Sequence, residues 1–147
     1  MSSTTSGASV APGKLPLSRV LLAGVIAIAG SVLANLVVFW VGGMLVQPPA
    51  DFMPLSVGAI TFFTILGTGL GALVFAWLAG RSAAPFRVYR NVAVVAFVVS
   101  IIPNVLAALN PAMFPFPGGT TAAFLVLILF HVVAAVVSVA VLFRLAR

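Results

Sequence analysis

The chain has no cysteine, one histidine (His131) and one acid (Asp51) among its 147 residues. Without cysteine there are no disulfides, no thiolate nucleophile and no thiolate-held metal or cluster. A single histidine falls short of the three or four ligands that zinc, copper or iron require. General acid–base catalysis needs two titrating groups in reach of one another, and the apolar segments hold only His131. A Ser/His/Asp relay would need Asp51 to reach His131 from a Pro-Pro turn, where a carboxylate is most simply solvated. Gly67-Thr-Gly-Leu-Gly71 is glycine-rich but sits inside an apolar run and follows no strand, so it is no phosphate loop. These absences point away from an enzyme and call for no cofactor. The net charge of +6 comes without a basic patch interleaved with aromatics, which argues against nucleic acid.

What the chain does have is apolar sequence, 63% of residues against 5% charged, unlike a soluble globular domain. It falls into four long apolar runs, about 19–46, 55–79, 88–109 and 122–145, each long enough to cross a bilayer. A bilayer admits only helices or closed barrels, and these lengths are helical. The fold class expected is an all-α integral membrane bundle of four transmembrane helices over 17–147, preceded by a disordered Ser/Thr/Gly/Ala tail over 1–16. Ala27-Ile28-Ala29 imitates a signal-peptidase site, but the apolar run continues far beyond an h-region, so the first segment is read as an uncleaved anchor.

Charge sets the orientation. Lys14 and Arg19 precede the first run, Arg81, Arg87 and Arg90 lie between the second and third, and Arg144 and Arg147 close the chain. The alternate loops, 47–55 and 109–121, contain no Lys or Arg. By the positive-inside rule both termini are cytoplasmic, with the basic side facing anionic headgroups.

Prolines punctuate the runs. Pro48-Pro49 ends the first helix, Pro54 suits the first turn of the second, Pro103 interrupts the third and frees the carbonyl of Val99, and Ser100 is placed to help satisfy the backbone there. Met113, Phe114 and Phe116 are apolar enough to enter the outer headgroup region. Trp40, Trp77 and Tyr89 stand near span ends, where aromatic belts form.

Helices in lipid associate through close backbone approach, which small residues permit. Gly67 and Gly71 supply a seam on the second span, and Ala23, Ala27, Ser31 and Asn35 form one ridge of the first. These seams serve packing within the bundle or a homodimer. The polar residues show a second pattern. At about 1.5 Å of rise per residue, Asn35 lies about 24 Å from Arg19 and Asn104 about 21 Å from Arg90. By the same rise Thr68 and His131 lie roughly 20 Å from Arg81 and Arg144, with Thr64 one turn further out. Asn35, Thr64, Thr68, Ser100, Asn104 and His131 therefore share one layer and should face inward. The layer is either an interhelical hydrogen-bond cluster that fixes register or a polar pocket around His131, the only side chain there of a type that titrates near neutrality.

Pro54-Leu-Ser-Val-Gly-Ala-Ile-Thr-Phe-Phe63, Asn35-Leu-Val-Val38 and Phe130-His131-Val-Val-Ala-Ala135 resemble an uncharacterised, domain-of-unknown-function family of small bacterial membrane proteins, mainly actinobacterial. The resemblance covers about 17–147. It implies a four-helix protein of the cytoplasmic membrane and supplies no substrate, cofactor or catalytic residue; Asn35, Thr64 and His131 are matched positions. Two functions follow as expectations. One is an accessory or assembly subunit that binds other membrane proteins or lipids. The other is a small transporter or ligand-binding protein that uses the layer around His131.

Overall fold

The computed structural model describes residues 15–47, 50–114 and 116–147. The tail expected to be disordered lies outside the described residues apart from Leu15 and Pro16, as do Pro48, Pro49 and Pro115. Among the described residues the protein is all-helical: α1 (Leu17–Val46), α2 (Val57–Arg81), α3 (Pro85–Leu109) and α4 (Thr121–Leu145), with short 3-10 turns at Met53–Leu55 and Pro111–Met113. All four helices are long and apolar enough to span a membrane. The shortest have 25 residues, about 38 Å against a hydrocarbon core of about 30 Å.

Local chemistry sets the helix ends. Pro54 belongs to the 3-10 turn rather than to α2, because Ser56 caps that helix by accepting a 3.2 Å hydrogen bond from the Ala59 N–H. Thr120 caps α4 in the same way, through the Ala123 N–H at 3.2 Å. Pro85 begins α3, where its missing N–H costs nothing. Pro103 does not interrupt α3, which runs unbroken through it; one lost ladder bond is tolerated inside a packed membrane helix. Ser100 does not serve the freed Val99 carbonyl. Its hydroxyl donates to Phe97 O at 2.7 Å.

The helices make an open ring. α1 packs on α2 and α4, and α4 packs on α3, while α2 and α3 meet over a smaller area that includes the arginine end, where Tyr89 lies against Phe75. The ridge of α1 faces inward: Ala23, Ala27, Ser31 and Asn35 are all buried. Ser31 Oγ donates to Ala134 O of α4 at 3.4 Å. The tightest α1–α2 approach is at Gly24, where an added Cβ would lie 3.1 Å from Ala72 Cβ. Gly67 takes no part in a seam; a Cβ there would meet nothing within 4 Å. Gly71 makes room for a ring instead, since its Cβ would lie 3.0 Å from Tyr89 Oη.

Two apolar clusters close the ends of the bundle. At the arginine end Phe75, Tyr89, Phe86 and Phe143 pack together, with Phe75 and Tyr89 edge to face at 5.1 Å and Phe86 and Phe143 at 5.2 Å. Tyr89 is thus a buried core ring and not the interfacial residue its position suggested, because Gly71 opens a space for it between the helices. At the far end Phe52 is buried against Phe124 at 5.3 Å. Phe114 and Phe116 turn towards this cluster, 6.3 Å from Phe124 and 6.4 Å from Phe52. Trp40 and Trp77 are exposed, and the Arg81 guanidinium lies 5.1 Å from the Trp77 ring.

Candidate functional site

Between the two apolar clusters lies the polar layer, and each helix contributes to it from one face. Asn35 is carried by the buried ridge of α1 and is 1% exposed. Its Nδ2 donates to Thr64 Oγ1 at 2.9 Å, which ties α1 to α2. Thr68, one turn along α2, donates back to the Thr64 carbonyl at 2.6 Å, the usual way for a helical threonine to satisfy its hydroxyl. His131 Nδ1 lies 2.8 Å from Leu127 O, one turn earlier on α4. Asn104 is half-buried on α3.

One polar atom is left over. Asn35 Oδ1 is buried and accepts no hydrogen bond among the described residues. A buried acceptor without a donor costs about 1–3 kcal/mol, and buried polar groups are otherwise almost always paired.

Asn35 is among the residues around a cavity of about 660 Å³ that lies between α2 and α3 and is backed by α4, a size typical of small-molecule sites. Thr64, Thr68, Ser100, Asn104, His131 and Ser138 share its wall. Phe63, Leu66, Gly67 and Leu70 of α2 and Val92, Ala96 and Phe97 of α3 form its sides. The rims are open: Phe63 is 66% and Leu70 56% exposed. The cavity is therefore a cleft that faces sideways out of the bundle. Along α2 it extends from Ala59 to Val74, about 22 Å at helical rise, and a second hollow of about 440 Å³ by Pro103, Phe114 and Phe124 continues it beyond Asn104.

All six layer residues named from the sequence thus line one cleft, but they do not form one hydrogen-bonded cluster. Asn35, Thr64 and Thr68 are linked. His131 bonds its own helix, and Ser100 sits exposed on the rim with its hydroxyl turned to its own backbone. Tyr89 and Phe63 also line the cleft. Tyr89 was missed because a tyrosine beside arginines reads as a belt residue, although Gly71 on the facing helix was the available signal.

The chemistry on offer is uncharged. No Lys, Arg, Asp or Glu lines the cleft, and no three His, Cys, Asp or Glu side chains gather among the described residues. The arginines lie at one end of the bundle, where Arg19 Nη1 donates to Arg147 O at 2.6 Å and the Arg147 guanidinium is 5.2 Å from the Phe86 ring. Such a site can hold a molecule by shape and by neutral hydrogen bonds.

A family model described as a family of unknown function, DUF6069, matches residues 16–147. No curated protein and no solved structure matches the chain.

Proposed function

The chain belongs to the DUF6069 family of unknown function, and we propose that it is a multi-pass membrane protein that binds an amphiphilic molecule, drawn sideways from the bilayer into the cleft between α2 and α3. The observation that carries this reading is a laterally open cavity of about 660 Å³, apolar on its sides, with an uncharged polar layer in its wall and the buried, unpaired Asn35 Oδ1 in that layer. A purely structural layer would close its own hydrogen bonds; this one leaves an acceptor beside a space large enough for a ligand. Catalysis has less support, since no carboxylate or cysteine lines the cleft and the Ser100 hydroxyl is engaged with Phe97 O. The arginines at one end favour an orientation with both termini inside, and the membrane proposed is the bacterial cytoplasmic one.

The test is extraction of lipid from the protein purified in mild detergent, compared with Ala96→Trp, which fills the cleft from an exposed position on α3. A near-stoichiometric lipid that the variant loses, at unchanged helix content and elution volume, supports the reading. Equal retention by both proteins refutes it.

A second reading, an accessory subunit that receives a helix of another membrane protein, is favoured by Gly67, whose bare backbone faces open space on the same side and suits close helix approach. A stoichiometric membrane partner that cross-links at Gly67→Cys would support it, and a protein that purifies alone with lipid in the cleft would count against it.

A further inference from the structure

We infer that the occupant of the cleft is an anionic phospholipid, its headgroup held by Arg81, Arg87 and Arg90 and one acyl chain laid along the cleft; the inference rests on the ligand-binding reading above and names its ligand. Three observations lead to it. The first is where these arginines stand. Arg81 ends α2, and Arg87 and Arg90 lie in the first two turns of α3, so all three sit beside the short turn that joins the two helices bordering the cleft. Arg81 is two turns beyond Val74 of the cleft lining, on the same face of α2 and about 10 Å further along. Arg87 and Arg90 flank Tyr89, which lines the cleft from α3. All three arginines are exposed, and Arg81 leans on the exposed Trp77 ring, 5.1 Å away. Arg19 and Arg147, by contrast, are engaged with the protein itself, Arg19 with Arg147 O and Arg147 over Phe86.

The second observation is the distribution of charge along the cleft. A charged group drawn to the level of Asn35 would lose its water and find no counter-charge in the lining, which is costly at this depth, so a charged headgroup has to stay at one mouth. The far mouth, by Pro54, Met53, Phe114 and Phe116, belongs to loops that hold no Lys or Arg and carry the chain's one acid, Asp51. At the arginine mouth no acidic side chain is present to neutralise the guanidiniums, and basic groups between membrane helices suit a phosphate headgroup. The third is access. Phe63, Leu66, Leu70 and Val74 on the α2 rim and Val92 on the α3 rim are exposed, so a chain can enter sideways while its headgroup stays at the interface. The cleft runs about 22 Å along α2, against roughly 15 Å for one leaflet's hydrocarbon, which leaves length for a whole acyl chain.

The experiment is photolabelling of the full chain in phosphatidylcholine vesicles. Two probes, a phosphatidylglycerol and a phosphatidylcholine with the same diazirine-bearing acyl chain, are compared at equal mole fraction, and labelled peptides are mapped by mass spectrometry. The inference expects phosphatidylglycerol to label the cleft faces of α2 and α3 about tenfold more than phosphatidylcholine, equivalent to about 1.4 kcal/mol, with no such preference at the exposed Leu33 and Val37 of α1. Arg87→Gln combined with Arg90→Gln should bring phosphatidylglycerol down to the level of phosphatidylcholine. Arg144→Gln, which helical periodicity turns away from the cleft lining of α4, should leave the preference unchanged. Because the comparison between probes uses the unaltered protein, it holds even if a variant inserts or folds poorly. Equal cleft labelling by the two probes overturns the inference but leaves ligand binding in the cleft standing. A preference as large on α1 as in the cleft, or one that Arg144→Gln reduces as much as the double variant does, also overturns it, since either marks a general attraction to the basic surface. Cleft labelling by neither probe above the lipid-facing surface overturns the inference and the ligand-binding reading together.

Discussion

Replacing Asn35 by leucine should leave the bundle as stable or make it more stable, although Asn35 is buried and ties two helices together. The substitution removes one hydrogen bond, to Thr64 at 2.9 Å. Interhelical hydrogen bonds in membranes contribute about 0.6 kcal/mol on average and about 1.7 at most. It also removes the unpaired Oδ1, whose burial costs about 1–3 kcal/mol. Leucine has similar bulk, and the released Thr64 hydroxyl can bond back to its own helix, as Thr68 does. The net expectation is a gain of about 0–2 kcal/mol. Thr64→Val breaks the same hydrogen bond from the other side but leaves the whole Asn35 amide buried without a partner, and should cost about 1–3 kcal/mol. Two substitutions that delete one bond should therefore shift stability in opposite directions. Equilibrium unfolding in mixed micelles with increasing dodecyl sulfate, followed by helix content, measures both. A loss of more than about 1 kcal/mol in Asn35→Leu would refute the claim that the amide is retained at a cost to stability, and with it the main reason for assigning the layer to a ligand.

The glycines give a second pair of opposite outcomes in the same assay. Gly24→Val should destabilise by about 1–3 kcal/mol, because even its Cβ lies 3.1 Å from Ala72 Cβ, whereas Gly67→Ala should be neutral or gain up to about 1 kcal/mol of helix propensity in open space. Topology is testable because the chain has no cysteine. If the termini are cytoplasmic as proposed, a membrane-impermeant thiol reagent should label Asp51→Cys in intact cells and should reach Arg87→Cys only after lysis; the reverse pattern would overturn the proposed orientation.

Much of this was legible in the sequence because the bilayer leaves few choices. Long apolar runs must be helices, so four spans and their approximate limits follow from composition and length alone. The inward ridge of α1 was readable because its small and polar residues recur every fourth position, and helix periodicity then places them on one side. The depth of Asn35, Thr64, Asn104 and His131 was readable for the same reason: helical rise converts residue number into height.

The sequence did not determine which helices are neighbours. In lipid every face is equally welcome if it is apolar, so no contrast between wet and dry sides marks the interfaces, and shape decides. Gly24 against Ala72 brings α1 and α2 together. Tyr89 turns into the space above Gly71, and α2 and α3 stand apart below it. That gap turned a layer of polar residues into a cleft. It also put Gly67 on an open face, and neither outcome could be read from helical spacing alone.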